Sequence, residues 1–549
     1  MKVKASLLCL AIASAIASAH ASTATKPLTP EEAAAALKAA VVARANVLVN
    51  NNAKGIHRAA ADAFAVKDVI VDKDGTEHVR YARTFNNLPV IGGDFVVHSR
   101  ESKLGGFSQA LETENRPGLV GRINADEAIV EAGARFALRF IGAPTSRLVV
   151  YARNKEPVLA HEVVFNGIKV DQTPTEMHYF VDANSGAILD QWDSIQTAKP
   201  GPGGGSSCTL TAAVGTGNTM AEGAVTLNTA KCGNTYQMVD TTRGGGATHN
   251  MSMLTAGMGA LVTGSTNVWG TGVISNAQTV AADAHYGIAT TWDYYKNKHG
   301  RMGIANDGEG AISRVHYGRN YQNAFWSDGC FCMTFGDGDN GASILPLVAL
   351  DVAGHEMSHG VTSRTAGLVY SKESGGLNEA TSDIFGTMVE YYANNPNDPG
   401  DYVIGEKLYP NNAAMQGLRY MFKPSLDGAS PDCYTSTLGN LDVHYSSGVA
   451  NHFYYLLAEG AVVPTGFGSG TWANLTPAKL VCNGNTSLAG IGRDKAGAIW
   501  YRALTVNMNS TTNYAGARAA TIAASTYLYG ADSAETSAVK AAWSAVSVN

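Results

Sequence analysis

The segment His355-Glu356-Met357-Ser358-His359 constrains this chain more than any other. On an α-helix, positions four apart lie about one turn apart on one face, so two imidazoles can point at a single ion. Such a pair makes half of a zinc site. Glu379, in Leu377-Asn378-Glu379-Ala380, lies twenty residues beyond His359. From a second helix packed on the first it can supply the third ligand, leaving the fourth tetrahedral position open to water, as in catalytic rather than structural zinc sites. Glu356, next to the first ligand, can stand beside the metal and take a proton from that water. Asp383, one turn after Glu379, can accept the other ring N–H of a ligating histidine and fix its tautomer. The competing view, a histidine pair on an ordinary surface helix, weakens with each of these neighbours.

The stretch DVAGHEMSHGVTSRTAGLVYSKESGGLNEATSD, Asp351 to Asp383, resembles the thermolysin-like zinc metallopeptidases, and within them most the pseudolysin and vibriolysin branch. The landmarks keep the family's order from about residue 60 to the C-terminus. The resemblance implies an α+β, two-lobed peptidase: a β-rich N-terminal lobe with the central zinc helix (198–360) and a mostly α-helical C-terminal lobe (361–549). An α+β propeptide (22–197, its halves meeting near 118) precedes them and acts as folding assistant and inhibitor.

The N-terminus fits an exported zymogen. Lys2 and Lys4, the apolar run Ala5 to Ala17 and Ala19-His20-Ala21 read as a signal peptide over residues 1–21, too short to anchor in a membrane. The six cysteines beyond it suit disulfides, and proximity in the chain favours Cys208 with Cys232 and Cys433 with Cys482. Cys330 and Cys332 are then a local pair or free thiols. A chain of 549 residues exceeds one core and divides into domains, and 16% charged residues with a net charge of −6 give no footprint for nucleic acid. We expect a secreted monomer whose partners are polypeptide substrates and its own propeptide, with no nucleic acid or membrane partner.

Before the motif, EEAAAALKAAVVARANVLV reads as a helix ending near Asn52, and residues 77–98 alternate around Asn86-Asn87 as paired strands do. The linker TAKPGPGGGSS, 197–207, suits processing, with the cut near Thr197 and Ala198. Residues 208–269 read as β-rich without an assignable function. His285 and His452 read as structural histidines.

The family resemblance assigns further roles. Asn323 and Ala324 stand where an edge strand holds extended substrate through its backbone. Tyr370 and His444 supply donors to the developing oxyanion, and Asp442 pairs with His444 and favours the imidazolium. Arg419 binds a substrate carbonyl. Ile344, Leu347, Val352, Ile404, Leu408 and Leu418 line a pocket for a bulky apolar side chain after the scissile bond. Asp351, one turn before His355, and Glu390, eleven residues after Glu379, can meet beyond the zinc ligands. With Asp401, the Val403 carbonyl and Glu406 within reach, they suit one calcium ion, while Asp398 reads as a solvated surface acid. The function expected is zinc endopeptidase. A zinc aminopeptidase is disfavoured because its spacing is one residue shorter and its GxMEN-type sequence is missing; a secreted zinc-binding adhesin or inhibitor is disfavoured by the full catalytic set.

Overall fold

The computed structural model describes residues 29–136, 138, 140–153, 156–194 and 208–549. The expected signal peptide and processing linker lie outside them. Helix α1, Pro30–Asn51, begins at a capping box in which Thr29 and Glu32 each accept the other's backbone N–H. It buries Val41, Ala45 and Val49 against Tyr81, Phe95 and Val97.

Those aromatic and β-branched residues lie on strands β1 (Asp62–Val71), β2 (Thr76–Phe85), β3 (Leu88–Ile91), β4 (Phe95–Arg100) and β5 (Lys103–Gln109). Asn86 and Asn87, at φ 47° and 66°, turn β2 into β3, as asparagine permits. After α2 (Ala125–Gly133) come β6 (Thr145–Tyr151), β7 (Val158–Ile168), β8 (Pro174–Asp182) and β9 (Ile188–Asp193). β3 pairs in parallel with β6, so the two halves of this region share one nine-stranded sheet.

Beyond residue 208 the chain first forms small sheets. One contains β10 (Gly246–Asn250), β11 (Ile312–Tyr317), β12 (Ala324–Ser327) and β13 (Cys332–Gly336), with β12 at its edge. Helix α3 (Ala277–His299) runs beside it and leads to the central pair, α4 (Leu350–Ser363) and α5 (Lys372–Ala393). Gly354 and Gly386 set the distance between that pair: a Cβ on Gly386 would come within 2.4 Å of the Asp351 carbonyl oxygen. This close approach brings the side chains of α5 to those of α4. The remainder is mainly helical, including α6 (Gly448–Glu459).

The three disulfides are Cys208–Cys232, Cys433–Cys482 and Cys330–Cys332, so the last pair is bridged rather than free. Among the described residues no helix is long and apolar enough to cross a membrane. His285 is buried between Thr248 Oγ1 and the Asn228 carbonyl, and His452 between the Asp432 and Leu480 carbonyls. Both rings are satisfied within the core.

Candidate active site

His355 and His359 face one point from α4, their Nε2 atoms 3.0 Å apart. Glu379 on α5 is fully buried, with its carboxylate oxygens 3.5 Å from His355 Nε2 and 3.4 Å from His359 Nε2. The outer nitrogens fix what the inner ones can do. His355 Nδ1 lies 2.8 Å from Asp383 Oδ1, an acceptor, and His359 Nδ1 lies 2.8 Å from Asn378 Oδ1. The Asn378 amide is oriented by its own Nδ2, which donates to the Leu368 carbonyl, so its oxygen faces the ring. Both histidines therefore donate from Nδ1 and turn Nε2 lone pairs inward. Two lone pairs and a carboxylate whose Oε2 has no hydrogen-bond partner converge on one point, the donor set zinc takes. These three residues could hold the metal, with Asp383 and Asn378 orienting the rings.

Glu356, on the same turn, is buried, and burial, opposed by His355 and reinforced by Glu379, raises its carboxyl to about 7. Burial alone would raise Glu379 too, but His444, His359 and His355 hold it near 2. Tyr370 OH donates to Glu379 Oε1 and lies 3.2 Å from His444 Nε2. His444 Nδ1 is 2.7 Å from Asp442 Oδ1. With Tyr370 donating to Glu379, its oxygen accepts from His444 Nε2–H, and with Nδ1–H given to Asp442 the ring must be an imidazolium. Its pKa agrees: burial opposes the charge, but Glu379 and Asp442 raise it.

The cleft encloses about 490 Å³, and its floor includes Asn323, Ala324, Leu347, Val352, Ile404 and Leu418. Arg419 reaches it while both its Nε and Nη2 donate to Asp383 at 2.7 Å. Ile344 stands apart from this lining: its N–H donates to Asp339 Oδ1 and its carbonyl accepts from Asp339 and Gly341, in a loop beside the cleft. Leu408 is likewise core rather than cleft wall.

The cleft roof comes from β7–β9: Glu162, Glu176, His178, Trp192 and Ser194 face the same cavity. Gln172 anchors this roof by pairing its amide with both N–H and C=O of Arg319, and Arg153 Nη2 donates to Ser374 Oγ. His178 bridges Glu162 (2.8 Å) and Glu176 (3.1 Å); burial opposes its charge, but these bonds raise it to about 9. A raised histidine stabilises the fold fully below its ordinary ~6.5 and loses that stabilisation as pH rises through the folded value. Protection of β7 and β8 amides, corrected for intrinsic exchange, should therefore fall between about pH 6.5 and 9, by at most ~3 kcal/mol of opening free energy. His178→Gln should flatten that dependence.

A second polar centre lies behind α4 and α5. Carboxylate oxygens of Glu390, Asp398 and Glu406 lie within 4.8 Å of one another, all buried. Of the expected calcium residues this brings together Glu390 and Glu406, and it adds Asp398. Asp398, far from being a solvated surface acid, is 0% exposed, with Lys407 Nζ 3.4 Å from its Oδ1, because the turn after α5 folds it inward. Asp351 accepts from the Val352 and Gly405 amides and Asp401 from Val403 N–H, and both acids are felt at Glu390 and Glu406, so they stand beside this group. Val403 itself lies in a short strand paired with Tyr420. Burial first, then the neighbouring acids, raises Glu390 and brings Glu406 to about 10, so the cluster favours a divalent cation. Glu222, which no motif or periodicity singled out, is 2% exposed with an unpartnered Oε2, and its charge is felt with Asp283 and Asp398. It lies in the segment without an assigned function, and Asn395 and Asn397 bind its carbonyl to hold that loop against the cluster.

Profiles of two domains cover the peptidase part: "Thermolysin metallopeptidase, catalytic domain" over residues 214–363 and "Thermolysin metallopeptidase, alpha-helical domain" over 366–548. A thermolysin from Alicyclobacillus acidocaldarius subsp. acidocaldarius is 36% identical over 87% of this chain and 84% of its own. The chain belongs to the thermolysin family of metallopeptidases. A "Fungalysin/Thermolysin Propeptide Motif" spans residues 62–111, so this family member carries the family's propeptide. A "Transglutaminase-activating metalloprotease" from Streptomyces mobaraensis is 45% identical over 95% of this chain, which spans 65% of that relative's length. A solved "Precursor of Protealysin, Metalloproteinase from Serratia proteamaculans" is 30% identical over 55% of this chain and 87% of that one, with a TM-score of 0.43. The two domain profiles and the thermolysin sequences establish the family without singling out a branch within it.

Proposed function

We propose that this chain is the precursor of a secreted zinc endopeptidase that cuts internal peptide bonds before a bulky apolar residue. The observation that carries this is the convergence of His355, His359 and Glu379 on one point, with Glu356 beside it and His444 and Tyr370 opposite. A zinc ion held by the first three would supply Lewis-acid polarisation of the scissile carbonyl and of the attacking water.

The chain's own residues do the rest. Substrate lies extended against the edge of β12, where Ala324 offers its backbone and Asn323, whose carbonyl is held by Gly336 N–H, offers its side chain, and Arg419 takes a further carbonyl. Leu347, Val352, Ile404 and Leu418 exclude water around the side chain after the scissile bond; such a pocket discriminates by only about 1–3 kcal/mol per methylene, so preference is broad. Glu356 takes the proton of the attacking water at its carboxylate and hands it to the leaving amine. His444 Nε2–H and the Tyr370 hydroxyl donate to the oxyanion, and Asp442 keeps His444 charged. Structural calcium fits Glu390, Asp398 and Glu406, with Asp351 and Asp401 adding charge around them. Residues 22–197 act as propeptide: β7–β9 roof the cleft and deny it to substrate until they are removed.

The test is hydrolysis by the purified, processed protein of an internal peptide bond in a substrate blocked at both ends. A strong chelator should abolish it, and substoichiometric zinc should restore it. Undiminished activity in chelator, or cleavage confined to free N-termini, would overturn the reading.

A further inference from the structure

Among the described residues strand β12 pairs with one other strand. Ala324 to Ser327 pair antiparallel with β13, Ser327 opposite Cys332 and Ala324 opposite Phe335, and the other edge faces the cleft. The Asn323 carbonyl accepts from Gly336 N–H, whereas Ala324 N–H bonds only locally, to Asn323 Oδ1. In an antiparallel strand the outward groups alternate, so Ala324 and Trp326 present backbone to the cleft. The edge is held by its ladder with β13 and by packing of its buried residues, Trp326 against Gly360 of α4 among them, and the hairpin between β12 and β13 joins the two.

That hairpin carries the Cys330–Cys332 bridge, closed across the single residue Phe331. Phe331 has φ 52°, a left-handed conformation uncommon for a bulky side chain. There its ring sits between the Trp326 indole, centroids 5.4 Å apart, and the Arg364 guanidinium, 5.3 Å away. Arg364 caps the C-terminal end of α4, the helix of His355, Glu356 and His359. Its Nη1 donates to Asp328 Oδ1, which also accepts from Trp326 Nε1 at 2.8 Å and Ser363 Oγ at 3.0 Å. The bridge thus fixes Phe331, Phe331 packs on Arg364 and Trp326, and Asp328 ties Trp326 to α4. Strand edge and metal-binding helix are locked to each other through one knot.

We infer that the Cys330–Cys332 bridge and Phe331 are positioning residues that hold the substrate-binding edge of β12 in register with the catalytic helix. This rests on the proposed role of that edge in gripping substrate. Losing the brace loosens one or two backbone hydrogen bonds to substrate residues lying along the strand and leaves the reacting atoms untouched.

The experiment compares a long blocked peptide that runs along β12 with a short blocked dipeptide amide, on the processed enzyme. In C330S/C332S, and separately in Phe331→Ala with the bridge intact, KM for the long peptide should rise roughly five- to tenfold. kcat for the long peptide and both constants for the dipeptide amide should stay as in the wild type, and activity on the dipeptide amide certifies folding. A depsipeptide form of the long substrate, in which an ester oxygen replaces the amide N–H that meets the outward Ala324 carbonyl, tests the grip itself, since Ala324 N–H is already bonded to Asn323 Oδ1. If the ester raises KM on the wild type and the two brace variants do not, the brace is refuted; if the ester has no effect, the edge-strand reading fails first. Equal losses on both substrates in C330S/C332S and Phe331→Ala would mean a merely structural turn and would also overturn the inference.

Discussion

Glu356→Gln is expected to lower peptide hydrolysis by ~10²–10⁴-fold while zinc content stays at the wild-type level. The two side chains have nearly the same volume, so the packing of α4 around a residue only 6% exposed is preserved. The amide cannot take up a proton, and proton transfer to and from the reacting groups is the one task the geometry leaves to this position. His355 and His359 are held by Asp383 and Asn378, neither of which touches Glu356 through a hydrogen bond, so the metal-holding set is undisturbed. His444 and Tyr370 remain in place and account for the residual rate. The same variant should accumulate as unprocessed precursor when expressed alone. Activity within tenfold of wild type, at equal zinc content, would remove the base from Glu356.

The parts of this site that were legible beforehand are those governed by local helical geometry. His355 and His359 point together because they are four apart, and Glu390 shares a face with Glu379 because eleven residues make three turns. The catalytic remainder, Tyr370, His444 and Asp442, carries no such periodicity and was reached through the family's motifs. Tertiary folding hid the rest. Asp398, in a run of Asn, Pro, Asp and Gly, has every local mark of a surface turn, yet that turn folds onto α5 and buries the carboxylate. Glu222 sits in a stretch rich in Gly, Thr and Ser, and only the docking of its loop on Asp283 and the 395–398 turn gives it company. Ile344, placed in the pocket by the family resemblance, sits in a loop where its N–H donates to Asp339 and is not among the residues lining the cleft. The charged roof escaped notice because Glu162 lies on β7 and Glu176 and His178 on β8, and only the pairing of these two strands brings them together.

Asp383→Ala should produce the largest combined loss of stability and metal affinity. This carboxylate, 0% exposed, accepts four hydrogen bonds: His355 Nδ1 at 2.8 Å and Arg419 Nη2 at 2.7 Å on Oδ1, Arg419 Nε and Asn451 Nδ2, each at 2.7 Å, on Oδ2. Burial by itself would raise its pKa, but Arg419 and His355 hold it well below the carboxylate range, so it is a buried anion among donors. Removing it leaves the Arg419 guanidinium, which borders the cleft with 16% of its side chain exposed, without its carboxylate, at a cost of up to about 3–5 kcal/mol. It also frees the His355 ring to rotate or change tautomer, which lowers metal affinity about 10–100-fold. Asp383→Asn keeps the volume and one acceptor but turns an amide N–H₂ toward existing donors, so it should fall between the wild type and alanine. Urea unfolding and zinc competition against a chelator, both in the Glu356→Gln background to prevent self-digestion, separate the two effects. If affinity holds in both variants while stability falls, packing alone orients His355 and Asp383 serves only Arg419; if both quantities hold, neither role assigned to this acid survives.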